Sequence, residues 1–224
     1  MPVAREGIPI IISFLGAHLV FLLAGFLAQQ SSQSQWVRIL LMAAAALLAV
    51  LTLFSLYFFR DPERKTPDGD NLVISPADGR VLGVEKVETT EYLDGPAEKC
   101  SIFMNVFDVH VNRAPATGVV GYCNYRPGKF FNASLDKASE GNEAMSVGIE
   151  TQEHGKLLVR QIAGLIARRI VCRVKPGDSL ARGERFGMIR FGSRLEVFLP
   201  PGAEWKVRSG DIVRAGETIL AEYR

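Results

Sequence analysis

Two long uncharged apolar runs near the N-terminus constrain this chain most. Residues 8–28 and 39–59 contain no Asp, Glu, Lys or Arg, and each has the roughly 20 residues that a helix needs to cross a bilayer. A cleaved signal peptide would have a shorter apolar core, of about 7–15 residues, behind a basic start. Here Arg5 is offset by Glu6. The sequence therefore predicts two uncleaved membrane helices, which either span the bilayer or dip into it as a hairpin.

The charges beside these runs predict an orientation. The segment between the runs carries only Arg38, whereas RDPERK after the second run carries three basic residues. Because an excess of Lys and Arg marks the cytoplasmic side, both chain ends are expected on the cytoplasmic side of the inner membrane. Residues 1–59 are thus predicted to be a membrane anchor, and residues 60–224 a separate domain on the same side.

Composition excludes several function classes. The chain has 26 Lys and Arg residues against 24 Asp and Glu residues, and this near balance gives no basic excess for nucleic acid. Its three cysteines, Cys100, Cys123 and Cys172, are odd in number and contain no CxxC spacing. Neither a disulfide framework nor a zinc site is indicated, so we expect reduced thiols and no metal.

The remainder of the chain has the pattern of a β-rich domain. From residue 72 onward, short β-branched runs are broken by Gly, Pro and Asp, which is typical of strands and turns. Residues 157–174 mix β-branched residues with Ala and Leu, so helix and strand both fit, and we assign them mainly to strand.

An internal repeat refines this prediction. VKPGDSLARGE at 174–184 and VRSGDIVRAGE at 207–217 lie 33 residues apart, which predicts two copies of one supersecondary unit. The pattern resembles the turns of lipoyl and biotinyl carrier modules. The predicted fold class is mainly β (α+β): two N-terminal membrane helices followed by a compact β-sandwich or barrel-like domain with duplicated lipoyl-like hairpins.

The resemblance to carriers opens an alternative function. Asp136-Lys137-Ala138 matches the triplet in which carrier domains lipoylate their lysine, but it lies about 40 residues before the first Gly-Asp turn instead of shortly after it. A short motif of this kind also occurs often by chance. A solvated loop lysine is the favoured interpretation, with a membrane-anchored carrier and a purely structural membrane protein kept as alternatives.

An ordered series of short motifs points to one family. The motifs are Phe59-Arg60-Asp61-Pro62, Ser75-Pro76-Ala77-Asp78-Gly79, Asp108-x-His110 with Pro115 and Gly118, Asn142-Glu143, Gln161-Ile162-Ala163-Gly164, Ala167-Arg168-Arg169-Ile170 and Phe191-Gly192-Ser193. Each is weak alone, but together they resemble the phosphatidylserine decarboxylase family in its short form. Phe191 and Arg194 depart from the commoner Leu-Gly-Ser-Thr motif, and Arg113 stands where many relatives carry a second histidine.

This resemblance implies a self-made cofactor. The chain would cut itself between Gly192 and Ser193 into fragments 1–192 and 193–224, which remain associated, and a homo-oligomer is compatible with this. Ser193 would become a pyruvoyl group, with no metal. It would form a Schiff base with the amine of phosphatidylserine and accept electrons as carbon dioxide leaves, giving phosphatidylethanolamine. Ser193 lies between two strand-like runs, where a tight turn and an exposed hydroxyl can coexist.

Two further residues are candidates for catalysis. A serine hydroxyl needs a base to take its proton, and His110 is the best candidate because His18 lies in an apolar run and His154 in a polar turn. The resemblance also implies that Asp78 orients the imidazole, as in a Ser-His-Asp arrangement. Without the resemblance, a structural imidazole is the favoured interpretation of His110, and an ordinary Asp-Gly turn is still more strongly favoured for Asp78.

Overall fold

The structure is a computed structural model that describes residues 2–31, 34–89, 91–134, 137–165, 169–190 and 192–223. Asp136, Ala167, Arg168 and Phe191, which the sequence motifs include, lie outside the described residues, as does the side chain of Lys137. The chain forms two compact units, Met1–Pro62 and Glu63–Arg224.

The first unit contains the two predicted apolar helices. After a 3-10 turn at Arg5–Gly7, α1 spans Ile8–Gln30 and α2 spans Gln35–Phe58. Both helices are long and apolar enough to cross a membrane. They contact each other where His18 Nδ1 lies 2.8 Å from the carbonyl oxygen of Ala45.

The second unit is mainly β, as predicted. Its strands are β1 (Leu72–Ile74), β2 (Gly79–Thr89), β3 (Gly95–Met104), β4 (Val111–Arg113), β5 (Gly118–Arg126), β6 (Ala144–Thr151), β7 (Gly155–Ile162), β8 (Ile170–Cys172), β9 (Ser179–Leu180), β10 (Arg185–Ile189), β11 (Ser193–Leu199), β12 (Ala203–Trp205), β13 (Ile212–Val213) and β14 (Ile219–Tyr223). One short helix, α3 (Lys137–Gly141), precedes β6. The assignment of residues 157–174 mainly to strand agrees with β7 and β8.

These strands form three antiparallel sheets. The largest has eight strands in the order β13-β2-β3-β11-β7-β6-β5-β9 and curls into a half-barrel. The two smaller sheets have the orders β1-β14-β12 and β4-β10-β8. Strand β11 therefore lies at the centre of the large sheet, paired with β3 on one edge and β7 on the other.

The sheet orders reveal a nested duplication. Strands β4 to β10 form one copy, here called the inserted copy, and β1 to β3 with β11 to β14 form the other, the split copy. Exchanging corresponding strands leaves the order of the large sheet unchanged and interconverts the two small sheets. Two reciprocal hydrogen bonds join the copies: Ile74 N–H donates to Pro115 O and Arg113 N–H donates to Pro76 O, both at 3.0 Å. The chain is thus duplicated, with one copy placed inside the other.

The sequence repeat marks one corresponding turn in each copy. Gly177 N–H donates to Val120 O at 2.8 Å, and Gly210 N–H donates to Val81 O at 2.9 Å. Both glycines have a positive φ, 95° and 96°, a region that glycine occupies without a steric cost. Each turn leads into a short strand that pairs with a distant one, β9 with β5 and β13 with β2. The closer likeness to lipoyl hairpins stays a prediction.

The hydrophobic core lies between the sheets and draws on both copies. Its fully buried members include Val73, Cys100, Ile102, Met104, Val147, Ile149, Leu157, Val159, Phe186, Leu195, Val197, Leu199 and Leu220. Burial of about 1.5–3 kcal/mol per large apolar side chain makes this shared core the main stabilising element of the unit.

Strand β11 is buried on both faces. Alternate residues of a strand point to opposite faces, so Leu195 and its neighbours face the core while Arg194 and Glu196 face the other way. There, Arg194 Nε lies 3.1 Å from Glu196 Oε1, and Arg160 Nη1 lies 3.4 Å from Glu196 Oε2. Ser139 Oγ–H donates to Glu196 at 2.6 Å. These contacts compensate the cost of burying the Glu196 carboxylate.

Arg160 extends this charge cluster to Glu91, with which it forms a second ion pair. Burial by itself raises the pKa of Glu91, but hydrogen bonds from Ser146 and Arg160, with the charge of Arg160, lower the pKa overall. Because the folded-state pKa is lowered, Glu91 adds stability at pH values above its ordinary pKa. That stability is lost as the pH falls through the lowered value.

The pairing of β5 with β6 gives a testable prediction about stability. A Cβ atom at Gly118 would lie 2.9 Å from the carbonyl carbon of Glu150, whereas one at Gly83 has no atom within 4 Å. We expect Gly118→Ala to destabilise the folded chain by about 1–3 kcal/mol through overpacking. We expect Gly83→Ala to change stability by no more than about 0.5 kcal/mol. Chemical unfolding of the purified full chain measures both, and equal stabilities would contradict the close approach.

Candidate active site

Ser193 is the first residue of the central strand β11. It pairs with Met104 at the end of β3, and its side chain is 0% exposed, although we had expected an exposed hydroxyl at this turn. Ser193 Oγ–H donates to Met104 Sδ at 3.4 Å. A thioether sulfur is only a weak acceptor, so the hydroxyl is enclosed without a strong hydrogen bond.

Gly192, the residue before Ser193, allows the chain to turn just before β11 begins. Gly192 has φ of +59°, which glycine adopts without the steric cost that a larger residue incurs. Its carbonyl group packs against the backbone of Gly164, because a Cβ atom at Gly164 would lie 2.8 Å from the Gly192 carbonyl carbon and closer still to its oxygen. The peptide bond between Gly192 and Ser193 is therefore held on both sides.

His110 lies on the loop that leads from β3 to β4 and is 0% exposed. Its Nδ1 lies 2.9 Å from the carbonyl oxygen of Asp108. A carbonyl oxygen can only accept, so a neutral imidazole in this position carries its proton on Nδ1 and its lone pair on Nε2. The loop is itself fixed, since Asn105 N–H donates to Asp108 Oδ2 at 2.8 Å. The backbone of Asp108 thus sets the tautomer.

A buried polar cluster of Met104, Asn112 and Gln161 lies beside Ser193. Asn112 Nδ2 lies 3.9 Å from Met104 Sδ, the same sulfur that accepts from Ser193, and Gln161 Nε2–H donates to Asn112 Oδ1 at 2.8 Å. His110 lies just before β4, the strand that carries Asn112, so His110 and this cluster are neighbours along the chain.

Sequence reasoning did not assign roles to the members of this cluster. Gln161 was noted only as part of a motif, and Met104 and Asn112 were not singled out. The available signal was a polar residue within a strand-like apolar run, as Gln161 is in LLVRQIAG. Such a pattern identifies a buried polar group but does not identify its partner.

Asp78 has partners of its own at the turn before β2. Its carboxylate accepts from Arg64 Nη2 at 2.7 and 3.0 Å and from Ala215 N–H at 2.8 Å. In the inserted copy, Thr117 Oγ1 accepts from Arg182 N–H at 3.1 Å in the corresponding place. The contact of Asp78 with the backbone of Ala215 is therefore structural, and an equivalent contact occurs in the inserted copy. The ion pair with Arg64 occurs in the split copy.

The two departures from the family motif have defined surroundings. Arg194 points away from Ser193, and its Nη2–H donates to Ser101 Oγ at 2.7 Å. Arg113 is buried, and its Nη1–H donates to Gly183 O at 2.9 Å. Each guanidinium group therefore has a hydrogen-bond partner other than the Ser193 hydroxyl.

The cysteines do not compete with Ser193 as nucleophiles. Burial raises the pKa of Cys100 to about 12, and burial also raises the pKa values of Cys123 and Cys172. All three thiols are free of disulfide bonds and protonated at neutral pH. Among the described residues, no group of three or more His, Cys, Asp or Glu side chains is arranged to hold a metal ion.

Comparison with known proteins agrees with the ordered motifs. The family model described as phosphatidylserine decarboxylase matches residues 51–221. A phosphatidylserine decarboxylase proenzyme of Syntrophus aciditrophicus is 50% identical over 221 residues, 99% of this chain and 97% of the relative. Proenzymes of the same name from Desulfotalea psychrophila and Nitratidesulfovibrio vulgaris are 46% and 50% identical, over 99% and 98% of this chain and 97% and 94% of theirs. The chain therefore belongs to the phosphatidylserine decarboxylase family.

Proposed function

We propose that this chain is a proenzyme that cuts itself between Gly192 and Ser193 and then decarboxylates phosphatidylserine to phosphatidylethanolamine. The observation that carries the proposal is the enclosure of the Ser193 hydroxyl and the Gly192 carbonyl at the start of β11. Three relatives support the proposal: each is named a phosphatidylserine decarboxylase proenzyme, and each matches this chain over nearly its full length.

The surroundings of Ser193 fit a pyruvoyl group. A pyruvoyl unit has the same three-carbon skeleton as the serine residue from which it is made, with a ketone oxygen in place of the amine and a methyl group in place of the hydroxymethyl group. The space that encloses Ser193 beside Met104 is therefore sufficient for the product. Nearby, Asn112 and Gln161 offer amide groups that can orient a small polar group at this position.

In the first step, Ser193 Oγ attacks the carbonyl carbon of Gly192. We assign His110 to take the hydroxyl proton through Nε2, because its Nδ1–H is already committed to Asp108 O. The C–N bond then breaks, the serine nitrogen receives a proton, and an ester joins Gly192 to Ser193 Oγ. An activated hydroxyl is needed because serine is a weak nucleophile at its ordinary pKa.

In the second step, a base removes the Cα proton of Ser193 and the bond from Cβ to the ester oxygen breaks. Gly192 leaves as a carboxylate, which ends fragment 1–192. The dehydroalanine that remains tautomerises to an imine, and water replaces its nitrogen, which departs as ammonia. The atoms of the new group all come from Ser193 and one water molecule.

For turnover, the pyruvoyl ketone supplies an electron sink for the pair left by departing carbon dioxide. His110 would return a proton to the carbon that lost the carboxylate, in keeping with general acid catalysis. The burial of the site excludes water and so limits competing protonation.

Asp78 is proposed to act as a fixed negative charge that favours the imidazolium formed on His110, by the logic of a Ser-His-Asp arrangement. Supporting this, its turn runs along β4, where Arg113 N–H donates to Pro76 O. Its contacts with Arg64 and Ala215 keep the carboxylate in place.

The apolar helices suit a substrate that remains in a bilayer. We propose that α1 and α2 anchor the chain in the inner membrane, with the catalytic unit on the cytoplasmic side, because basic residues flank the end of α2. Arg64 is not assigned to lipid binding, since it pairs with Asp78 and with Glu217 at 3.2 Å.

Self-cleavage predicts two fragments of defined mass. Intact-mass spectrometry of the purified chain should show fragments 1–192 and 193–224, the smaller lighter by one ammonia than its serine form. Ser193→Ala removes the nucleophile and should leave one intact chain. Ser209→Ala, an exposed serine in the same fragment, is the control and should cut normally. A folded wild-type chain that remains whole would rule out the proposed function.

Loss of the base should slow cleavage. In His110→Gln, the amide can still donate to Asp108 O but cannot take a proton, so we expect cleavage slower by about 10²–10⁴-fold. The rate is measured by gel electrophoresis during refolding or cell-free synthesis. His154→Gln lies in the turn between β6 and β7 and should cut like the wild type. Equal rates for the two variants would exclude His110 as the base.

The fragments should remain together after cleavage, because β11 is paired on both edges with strands of fragment 1–192. We expect them to co-elute in size-exclusion chromatography and to separate only in denaturant. Glu196→Gln leaves the buried Arg194 without the anion it pairs with, which should cost about 3–5 kcal/mol and lower the denaturant concentration needed for separation. Fragments that separate in native buffer would contradict this arrangement.

A further inference from the structure

Gly164 stands out because nothing about its own backbone requires a glycine. Its φ lies outside the left-handed range, unlike that of Gly192. What requires a glycine is space: a Cβ atom would lie 2.8 Å from the Gly192 carbonyl carbon and closer still to its oxygen, while Ala133 Cβ would be at an ordinary 3.6 Å. The missing side chain therefore makes room for the carbonyl of the bond that is proposed to be cut.

The backbone beside Gly164 is firmly held. Ala163 N–H donates to Glu143 O at 2.9 Å, and Ala163 O accepts from Asn142 Nδ2 at 2.8 Å. Asn142 is 0% exposed and also exchanges two hydrogen bonds with the backbone of Phe131, at 2.8 and 2.9 Å. A side chain at position 164 would therefore displace the Gly192 carbonyl more readily than its own backbone.

We propose that Gly164 is a positioning residue for self-cleavage, fixing the Gly192 carbonyl within reach of the Ser193 hydroxyl. The inference rests on the proposed function. The hydroxyl lies against Met104 Sδ and the carbonyl lies against Gly164, so different residues limit the positions of the two reacting groups. Reacting atoms must come within about 3–3.5 Å, and a misplacement of about 1 Å can cost about 10²-fold in rate.

This role is confined to the first step. Once Gly192 has left as a carboxylate, its carbonyl is no longer joined to residue 193, and the contact with Gly164 is not needed for turnover. Molecules that do mature should therefore decarboxylate normally. A residue that served only the fold would have no such separation between maturation and turnover.

The test compares Gly164→Ala with Gly83→Ala, a matched glycine substitution in open space. In the full chain, we expect Gly164→Ala to lower the cleavage rate by about 10²-fold or more and Gly83→Ala to leave it unchanged. Activity divided by pyruvoyl content, measured on the matured fraction, should equal that of the wild type. Cleavage of Gly164→Ala at the wild-type rate would overturn the inference.

Hydroxylamine separates the two steps, because it cleaves an ester and not the peptide bond under mild conditions. Wild-type precursor caught during maturation should be cut by hydroxylamine, whereas Gly164→Ala sampled at the same time should be cut far less, since its ester forms about 10²-fold more slowly. Accumulation of a hydroxylamine-sensitive ester in Gly164→Ala would place its effect in the second step and refute the proposal.

Thermal unfolding in the uncut Ser193→Ala background checks the fold. Adding Gly164→Ala should leave the melting temperature close to that of Ser193→Ala alone, because the displaced carbonyl lies at the end of the sheet. A collapse of the melting temperature would assign Gly164 to folding and also overturn the inference. A wild-type chain that never cuts would instead refute the proposed function, so the two failures are distinguishable.

Discussion

Strand β11 is hydrogen-bonded along both edges, to β3 and to β7, and the candidate site is built at its first residue. One face carries Leu195, Val197 and Leu199 into the core, and the other carries the ion pair between Arg194 and Glu196. A strand held in this way has no freedom to shift its register without moving apolar side chains out of the core. The position of Ser193 is therefore fixed by the packing of the whole sheet.

The polar cluster at the end of this strand gives the site its chemical character. Ser193 faces the sulfur of Met104, and nearby Gln161 Nε2–H donates to Asn112 Oδ1. In the proposed mechanism, the Ser193 hydroxyl loses only a weak hydrogen bond to the thioether when its proton is transferred. The proposed acceptor is His110 Nε2, because Nδ1 faces the carbonyl oxygen of Asp108. Burial of every member keeps this arrangement away from water.

Sequence patterns predicted the local features well and the long-range contacts poorly. The charge-free runs predicted α1 and α2 to within a few residues, because the length and apolar composition of such a helix are properties of one continuous segment. The turn signal at Gly192 favoured an exposed Ser193 hydroxyl, whereas its alternation with Leu195 and Val197 along β11 places it on a buried face of the strand. The contact of Gly164 with Gly192 could not be predicted, since it joins segments that only the paired strands β7 and β11 bring together. The pairing of Asp78 with Arg64 could not be predicted either, since the fold and not a local sequence pattern brings these two residues together.

The nesting of one copy within the other places His110 and Ser193 at the two junctions between the copies. His110 is the last residue of the segment that leads from β3 into the inserted copy, and Ser193 follows the segment that leads out of that copy. Ile189 N–H, at the end of β10, donates to His110 O at 3.4 Å. In the inserted copy, Gly155 begins β7 opposite Thr151 as Ser193 begins β11 opposite Met104, but there a tight turn closes the pair. Breaking the outgoing segment would divide the split copy between two polypeptides: β1 to β3 would stay joined to the inserted copy, which becomes their C-terminal tail, and β11 to β14 would become a separate peptide paired with β3 and β7.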